Sequence, residues 1–376
     1  MTAPSDALAL WLRHVVVLPA EPVGLAEAFG RVCAHDVRSL RDSPPAAVAA
    51  MDGIAVRAAD SAGLRLPAGT YDVVDTGDLL PPGRDAVVVR EQVSYDDGTA
   101  VLAHAVVAGR HVRPRGEDVA VADLLLPAGR VLRPVDVALA AAGGHTELPV
   151  RRRPRVVVVP TGDEVRSPGT HTGPGEVLDT NTLMLLGLCT GAGATATSVA
   201  VVPDDLSQLV EAVRYACIDA DMVIVGAGSS AGRDDHTAEV LAGLGEVLVH
   251  GVAVRPGHPV VLAVVDGTAV LGSPGYPVSA ALAFDLFAGP LLAALLGTAA
   301  PARPRATARL AVDLHSPAGV EDWVRVRVDS TGVTPLPGGA GGLAGLAGAD
   351  GLLRVPAATT SLTAGTLVEI ALLHGT

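Results

Sequence analysis

The stretch RVVVVPTGDEV, residues 155–165, decides the fold. An unbroken run of valines that stops at Pro-Thr-Gly-Asp-Glu is the pattern of a strand buried on both faces and ending in a loop, since a half-exposed strand would alternate. The pattern recurs downstream, where MVIVG (222–226) runs into AGSSAGRDD and AVLG (269–272) runs into SPGYPVS. ATATSVAVVP (194–203), VLVHGVAV and VVLAVV also read as strands. Between them, DDLSQLVEAVRYACIDA sets Leu206, Leu209, Val210, Val213 and Cys217 on one helical face, and TAEVLAGLG reads as another helix. This alternation predicts a parallel sheet with helices on both faces over residues 154–300. Within RPGHPVVLAVVDGTAVLGSPGYPVS (255–279), two short strands are expected to meet at Asp266-Gly267.

Working outward, SDALALWLRHV reads as a short helix capped by Ser5 or Asp6, and GLAEAFGRVCAHDV, from Gly24, as a second. VDVALAAAGG, from Val135, reads as a helix ended by glycine. From Ser43 to Leu132 short apolar strands alternate with turns such as Tyr95-Asp96-Asp97-Gly98, the texture of a β-rich module inserted into its neighbour. After Pro301, WVRVRVD, GVTPL and TLVEIALL read as strands of a small β-barrel or sandwich. Val278 to Ala300 is long enough to span a bilayer, but Asp285 interrupts it and Gly289-Pro290 is expected to break it, so it reads as a buried helix of a soluble protein.

At 376 residues the chain exceeds one ordinary core, and a net charge of −13 disfavours nucleic acid or an anionic membrane as partner. All 27 basic Lys/Arg positions are Arg, which reads as a genomic composition bias. Cys33, Cys189 and Cys217 are odd in number and far apart, so neither a disulfide framework nor a zinc knuckle is indicated, and the N-terminus lacks the marks of a secretory signal. A cytoplasmic protein is expected.

In open parallel sheets, ligands bind beyond the carboxyl ends of the strands. The loops there are Thr161-Gly162-Asp163-Glu164, Gly226 to Gly232, and Gly272-Ser273-Pro274-Gly275, which by topology open on one rim. Their small residues admit backbone amides to an anion, Ser230 and Ser279 add hydroxyls, and Ser279 starts a helix. Each feature also has a plainer reading: Asp163 and Glu164 as caps, Asp179-Thr180-Asn181 as an N-cap before LMLLGL, Asp234-Asp235-His236 as capping residues rather than a metal cluster, and Arg255 and His258 as surface residues.

Taken in order, AMDGIAVR, VRPRGEDV, RRPRVVVVPTGDEV, GEVLDTNTLML, GAGSSAGRDDHT, VAVRPGHPV and LGSPGYPVSAALAFDLF resemble the molybdopterin molybdenumtransferases, the MoeA/gephyrin E-domain family, from about residue 8 to the C-terminus. The resemblance implies an elongated homodimer of multidomain α/β plus β subunits. It implies a scaffold domain (1–42 with 110–153), an inserted β-rich lid (43–109), an α/β molybdopterin-binding domain (154–300) and a C-terminal β-barrel (301–376). The implied reaction takes adenylylated molybdopterin and molybdate, with Mg²⁺, and releases AMP. The partners implied are the second subunit, sharing the site, and a molybdopterin adenylyltransferase upstream.

Residue by residue, Asp52 resembles the lid carboxylate reaching the active site and Thr76 the lid threonine. Asp163, Asp179 and Asn181 resemble residues lining the pterin and phosphate cleft; Ser230 and Gly232 would cradle phosphates, with Asp235 as the Mg²⁺ ligand. Arg255 and His258 stand where the family has lysines; Pro274, Gly275, Pro277 and Ser279 keep its PGxPVS loop, with Ser279 as a molybdate contact; Arg325 resembles an arginine of the last domain that contacts molybdate. The chain departs from the family at Ala46 to Ala50, Ala227, His258, Tyr276, Gly345 and Asp350. Those departures give a second expectation, a catalytically weakened paralogue that keeps the dimer and the pterin or nucleotide site as a regulatory or scaffold protein.

Overall fold

The computed structural model describes residues 1–226, 236–337 and 342–373. The chain divides into two compact units, Ala20–Arg151 and the remainder, Met1–Pro19 with Arg152 onward.

The second of these is built on a six-stranded sheet in the order Thr195–Ser198, Arg155–Pro160, Met222–Gly226, Thr268–Ser273, Val261–Val265, Glu246–His250. The first four strands are parallel, as the alternation of apolar runs and helices requires. Val261–Val265 runs antiparallel to its neighbours on both sides, as the hairpin expected at Asp266-Gly267 requires, so the sheet is mixed and not parallel throughout. The cause is local: Asp266 and Gly267 adopt φ values of +49° and +83°, the left-handed pair of a two-residue hairpin, which reverses the chain between Val265 and Thr268.

Successive side chains of the central strands go to opposite faces. Val156, Val158, Met222, Ile224 and Leu271 join one core cluster, and Val159, Val223, Val225 and Val270 the other. The first face is covered by the helices Pro4–Leu12, Thr180–Gly191 and the long one from Pro277; the second by Leu206–Cys217 and Thr237–Leu244. On the Leu206–Cys217 helix, Leu209 and Val213 are buried as expected, whereas Leu206 is exposed.

Four expectations need correction here. The first helix starts at Pro4 with Ala3 as its N-cap and no side-chain cap, so neither Ser5 nor Asp6 caps it. Residues 1–19 do not belong with residues 20–42 and 110–153: Trp11 is buried in the core of the α/β sheet and its Nε1 donates to the Ala263 carbonyl at 3.0 Å. Gly289-Pro290 does not break the helix from Pro277 to Leu295, because Phe284–Ala288 widens into a π turn and Pro290 falls at the start of the following α segment, where its missing N–H is tolerated. That helix is long and apolar enough to cross a membrane, but it is two-thirds buried inside the protein, and Asp285 on it accepts both contacts of a forked pair with Arg303, at 2.7 and 2.8 Å. Finally, Val254–Arg255 leaves the α/β sheet and pairs in parallel with Glu321–Asp329, Val254 opposite Glu321 and Arg255 opposite Asp322.

That pairing joins a second sheet, which continues through Gly351–Val355, Leu367–Leu372 and Arg305–Arg309, with Gly332–Pro335 on the other flank of Glu321–Asp329. A parallel bridge from Leu310 to Val333 brings the end of Arg305–Arg309 to Gly332–Pro335 around a core of Leu310, Val326, Val333, Leu353, Val355, Val368 and Ile370.

In the Ala20–Arg151 unit, Ala20–Gly24 pairs antiparallel with Glu147–Arg151, Ala20 opposite Arg151, so its first and last residues are neighbours. The helix expected from Gly24 is absent: Leu25–Glu27 forms one 3-10 turn, and the chain then runs extended through bridges of Val32 with Val131 and of Cys33 with Val150. Long-range pairing overrides the short apolar period. The helix Pro134–Ala142 forms as expected, ending at Gly143, with the Asp136 carboxylate bonded to the Arg133 backbone and side chain. Residues 49–102 hold their own cores, one around Ile54, Val56, Val88 and Ala100 and one around Ala49, Ala55, Val74 and Val87, distinct from the core around Leu126, Leu132 and Leu148. All three cysteines are free, and burial pushes the Cys189 thiol up to about 12, which makes it inert at neutral pH.

Candidate active site at the rim of the α/β sheet

The three parallel strands end in register. Pro160 lies opposite Gly226, and Gly226 opposite Ser273, so the loops that begin at Thr161 and after Ser273 leave the sheet at one level on one rim, as their order predicts. Thr161 Oγ1 donates to the Gly226 carbonyl and ties two of these ends together. The loop beyond Gly226 carries Ser230, Gly232 and Asp235, and also Ala227; these lie outside the described residues.

Asp163 is exposed on this rim and forms a reciprocal pair with Asp204: each backbone N–H meets the other's carboxylate at 3.2 Å. Asp204, at the start of the Leu206–Cys217 helix, was not among the expected residues; a second Asp beside the N-cap Asp205 reads in sequence as capping alone. Asp179 is the N-cap of Thr180–Gly191, accepting from Thr182 N at 3.0 Å, so its plainer reading is realised. Asn181, in the first turn of that helix, donates from Nδ2 to the Gly275 carbonyl at 2.7 Å and thereby fixes the PGxPVS loop.

That loop places Pro274 and Ser273 inside and Gly275 and Tyr276 outside. Tyr276 is the N-cap residue of the helix from Pro277, 56% exposed and without a cap bond from its side chain. Ser279 is buried in the first turn. The Arg255 to Pro259 turn packs on it: Gly257, at φ +101°, has room for a Cβ only 3.4 Å from the Ser279 carbonyl oxygen, so only a residue without a side chain sits easily there. The two Gly-Pro turns on either side of the hairpin are therefore in contact. Arg255 and His258 themselves are exposed. The Arg255 charge offsets part of what burial does to Asp322, whose carboxyl is pushed above its ordinary range, and Ser316 Oγ donates to it at 3.2 Å.

Arg325 is buried and donates from Nη1 to the Gly342 carbonyl at 2.9 Å. A Cβ at Gly345 would come within 2.6 Å of that Nη1, so the glycine where the family has serine makes room for the guanidinium. Asp350, the other departure nearby, accepts from Val328 N at 2.8 Å.

In the Ala20–Arg151 unit, Asp52 and Thr76 form a pair of their own. Thr76 donates to Asp52 Oδ1 from both its backbone N–H (2.8 Å) and its hydroxyl (2.7 Å), and these two bonds hold the exposed carboxyl below the usual range, so it is a carboxylate at neutral pH. Gly53, the next residue, starts a buried strand, and a Cβ there would lie 2.0 Å from the Val88 carbonyl oxygen. Gly53 is thus required by close backbone approach, directly after the carboxylate of Asp52.

Three family descriptions cover the chain in succession: the MoeA N-terminal region (domain I and II) matches residues 2–144, a probable molybdopterin binding domain residues 157–294, and the MoeA C-terminal region (domain IV) residues 307–373. Molybdopterin molybdenumtransferase 2 of Mycobacterium tuberculosis is 33% identical, with 93% of this chain and 94% of that protein covered. The chain belongs to the MoeA family. Molybdopterin molybdenumtransferase of Haemophilus influenzae is 32% identical over 74% of this chain and 73% of its own. Among solved structures, the molybdopterin biosynthesis MoeA protein of Pyrococcus horikoshii superposes with a TM-score of 0.88 at 30% identity, covering 100% of both chains. The multidomain, mixed α/β architecture is therefore that of MoeA.

Proposed function

We propose that this MoeA family member is a transferase of molybdenum cofactor biosynthesis that takes adenylylated molybdopterin and molybdate and releases AMP. The observation that carries the reading is the common level of Pro160, Gly226 and Ser273, the ends of three parallel strands on one rim, within a chain whose relatives bear that activity in their names.

Charge governs the chemistry. Molybdate is a dianion and the substrate carries a pyrophosphate, so the two must be neutralised and oriented before dithiolene sulfur replaces oxygen on the metal. Arg255, exposed beside the Ser279 turn, is one cation among the described residues there, and His258 stands where a permanent positive charge would help more. Asp52, held ionised by Thr76, is suited to orient a hydrogen-bond donor of the substrate as a standing negative charge. Mg²⁺ would offset phosphate charge. Asp163 and Asp204 are engaged on each other's amides, and among the described residues no group of His, Cys, Asp or Glu is arranged to hold a metal.

The same reading includes a cytoplasmic homodimer whose sites combine residues of both subunits, fed by a molybdopterin adenylyltransferase. It also includes a lid within 43–109, supported by the separate cores there, and a C-terminal barrel, supported by the Leu310–Val333 bridge. Purified protein given adenylylated molybdopterin, Mg²⁺ and molybdate is expected to release AMP in a molybdate-dependent manner. Intact substrate binding without AMP release would instead establish the weakened paralogue, the reading favoured by exposed His258 and Tyr276 at the loop.

A further inference from the structure

We infer that Ser273 is a further specificity-determining residue of this site, and that together with Asn181, whose free amide oxygen can only accept, it reads the organic part of the ligand. This rests on the proposed function. Ser273 is 1% exposed, and its Oγ has no hydrogen-bond partner; Asn181 Oδ1 is buried and equally unpartnered. Among the described residues these are the only buried side-chain N or O atoms left so. Folded proteins satisfy nearly all such groups, because an unmet buried polar atom costs stability.

The two atoms share a place. Leu271 points into the core under the Thr180–Gly191 helix, so Ser273, two residues on along the same strand, faces the same side. Gly272, between them, faces the other side, where Thr237 and Val261 would meet its Cβ. Asn181 is in the first turn of that helix, bonded to Gly275 just beyond Ser273.

Asn181 is also oriented. The Gly275 carbonyl can only accept, so the amide end that meets it is Nδ2, and the end left over is the acceptor Oδ1. Phosphate and molybdate oxygens are acceptors as well and would be repelled by it. What Oδ1 takes is an N–H or O–H: the amino and amide groups of a pterin ring, or the adenine amino group and ribose hydroxyls of the nucleotide. The Ser273 hydroxyl, able to donate or accept, completes recognition of a heterocycle that presents both functions side by side.

The test compares wild type with Ser273→Ala and Asn181→Leu, measuring dissociation constants for 2-amino-4-oxopteridine, AMP and inorganic pyrophosphate together with the thermal midpoint. For Ser273→Ala the expected result is a midpoint equal to or above wild type, with binding of the pteridine or of AMP weakened about tenfold, the order of one hydrogen bond, and pyrophosphate unchanged. Which organic ligand suffers identifies the part of the substrate that is read. Asn181→Leu is expected to show the same ligand pattern. Parallel weakening of pyrophosphate, unchanged affinities, or a lowered midpoint for Ser273→Ala overturns the inference and leaves the proposed function standing. A wild-type protein that binds neither organic ligand overturns both.

Discussion

In the Ala20–Arg151 unit, Asp136, Ser39 and Ser61 are buried and each meets its partners inside the protein, whereas Ser273 and the amide oxygen of Asn181, at the end of the α/β sheet, meet none. Asp136 takes three hydrogen bonds from Arg133 and a contact at 2.8 Å from Arg130. Ser61 donates to the Ala58 carbonyl at 2.7 Å and accepts from Val106 N at 3.0 Å. The first region buries polarity to fix its own loops. The second keeps it unmet where the strands open, at a standing cost in stability that a ligand would relieve.

Three substitutions grade the contrast. Asp136→Asn should have the largest effect, a loss of about 3 kcal/mol in chemical denaturation, because it strips a buried carboxylate from two arginines and a helix start. Arg133, foremost, holds that carboxyl far below its ordinary range, so its contribution is complete above pH ~4 and disappears as the pH falls through the folded-state value. Wild type should therefore lose stability more steeply than Asp136→Asn on acidification below pH ~4, and parallel curves would show that the pair does not contribute. Ser61→Ala should cost about 1–2 kcal/mol by leaving Val106 N unpaired. Ser273→Ala should stay within about 0.5 kcal/mol of wild type or exceed it, and a loss as large as that of Ser61→Ala would erase the distinction between the regions.

The α/β sheet was legible because its strands are valine runs closed by Gly-Pro or Gly-Asp loops, and topology then fixes which loops share a rim. Asp179 as N-cap and the Asp266-Gly267 hairpin were legible for the same local reason. What sequence could not give depends on distant partners. The segment after Gly24 has a helical period, but bridges to Val131 and Val150 draw it out, and Val254–Arg255 ends a strand-like run yet finds its partner in Glu321 and Asp322. Ser273 reads as one more small residue in a turn, and only its burial and lack of a partner set it apart.

The pairing of Ala20 with Arg151 bears on how such a chain changes through its genes. The backbone leaves for the Ala20–Arg151 unit and comes back about 5 Å away, one strand spacing, while the helix before it is already locked by Trp11 into the core that follows. A recombination event that swaps or removes that whole segment would ask the rest of the molecule to bridge no more than a tight turn. That unit can therefore be traded as a cassette and diverge on its own schedule, leaving the strand ends of the α/β sheet as they are.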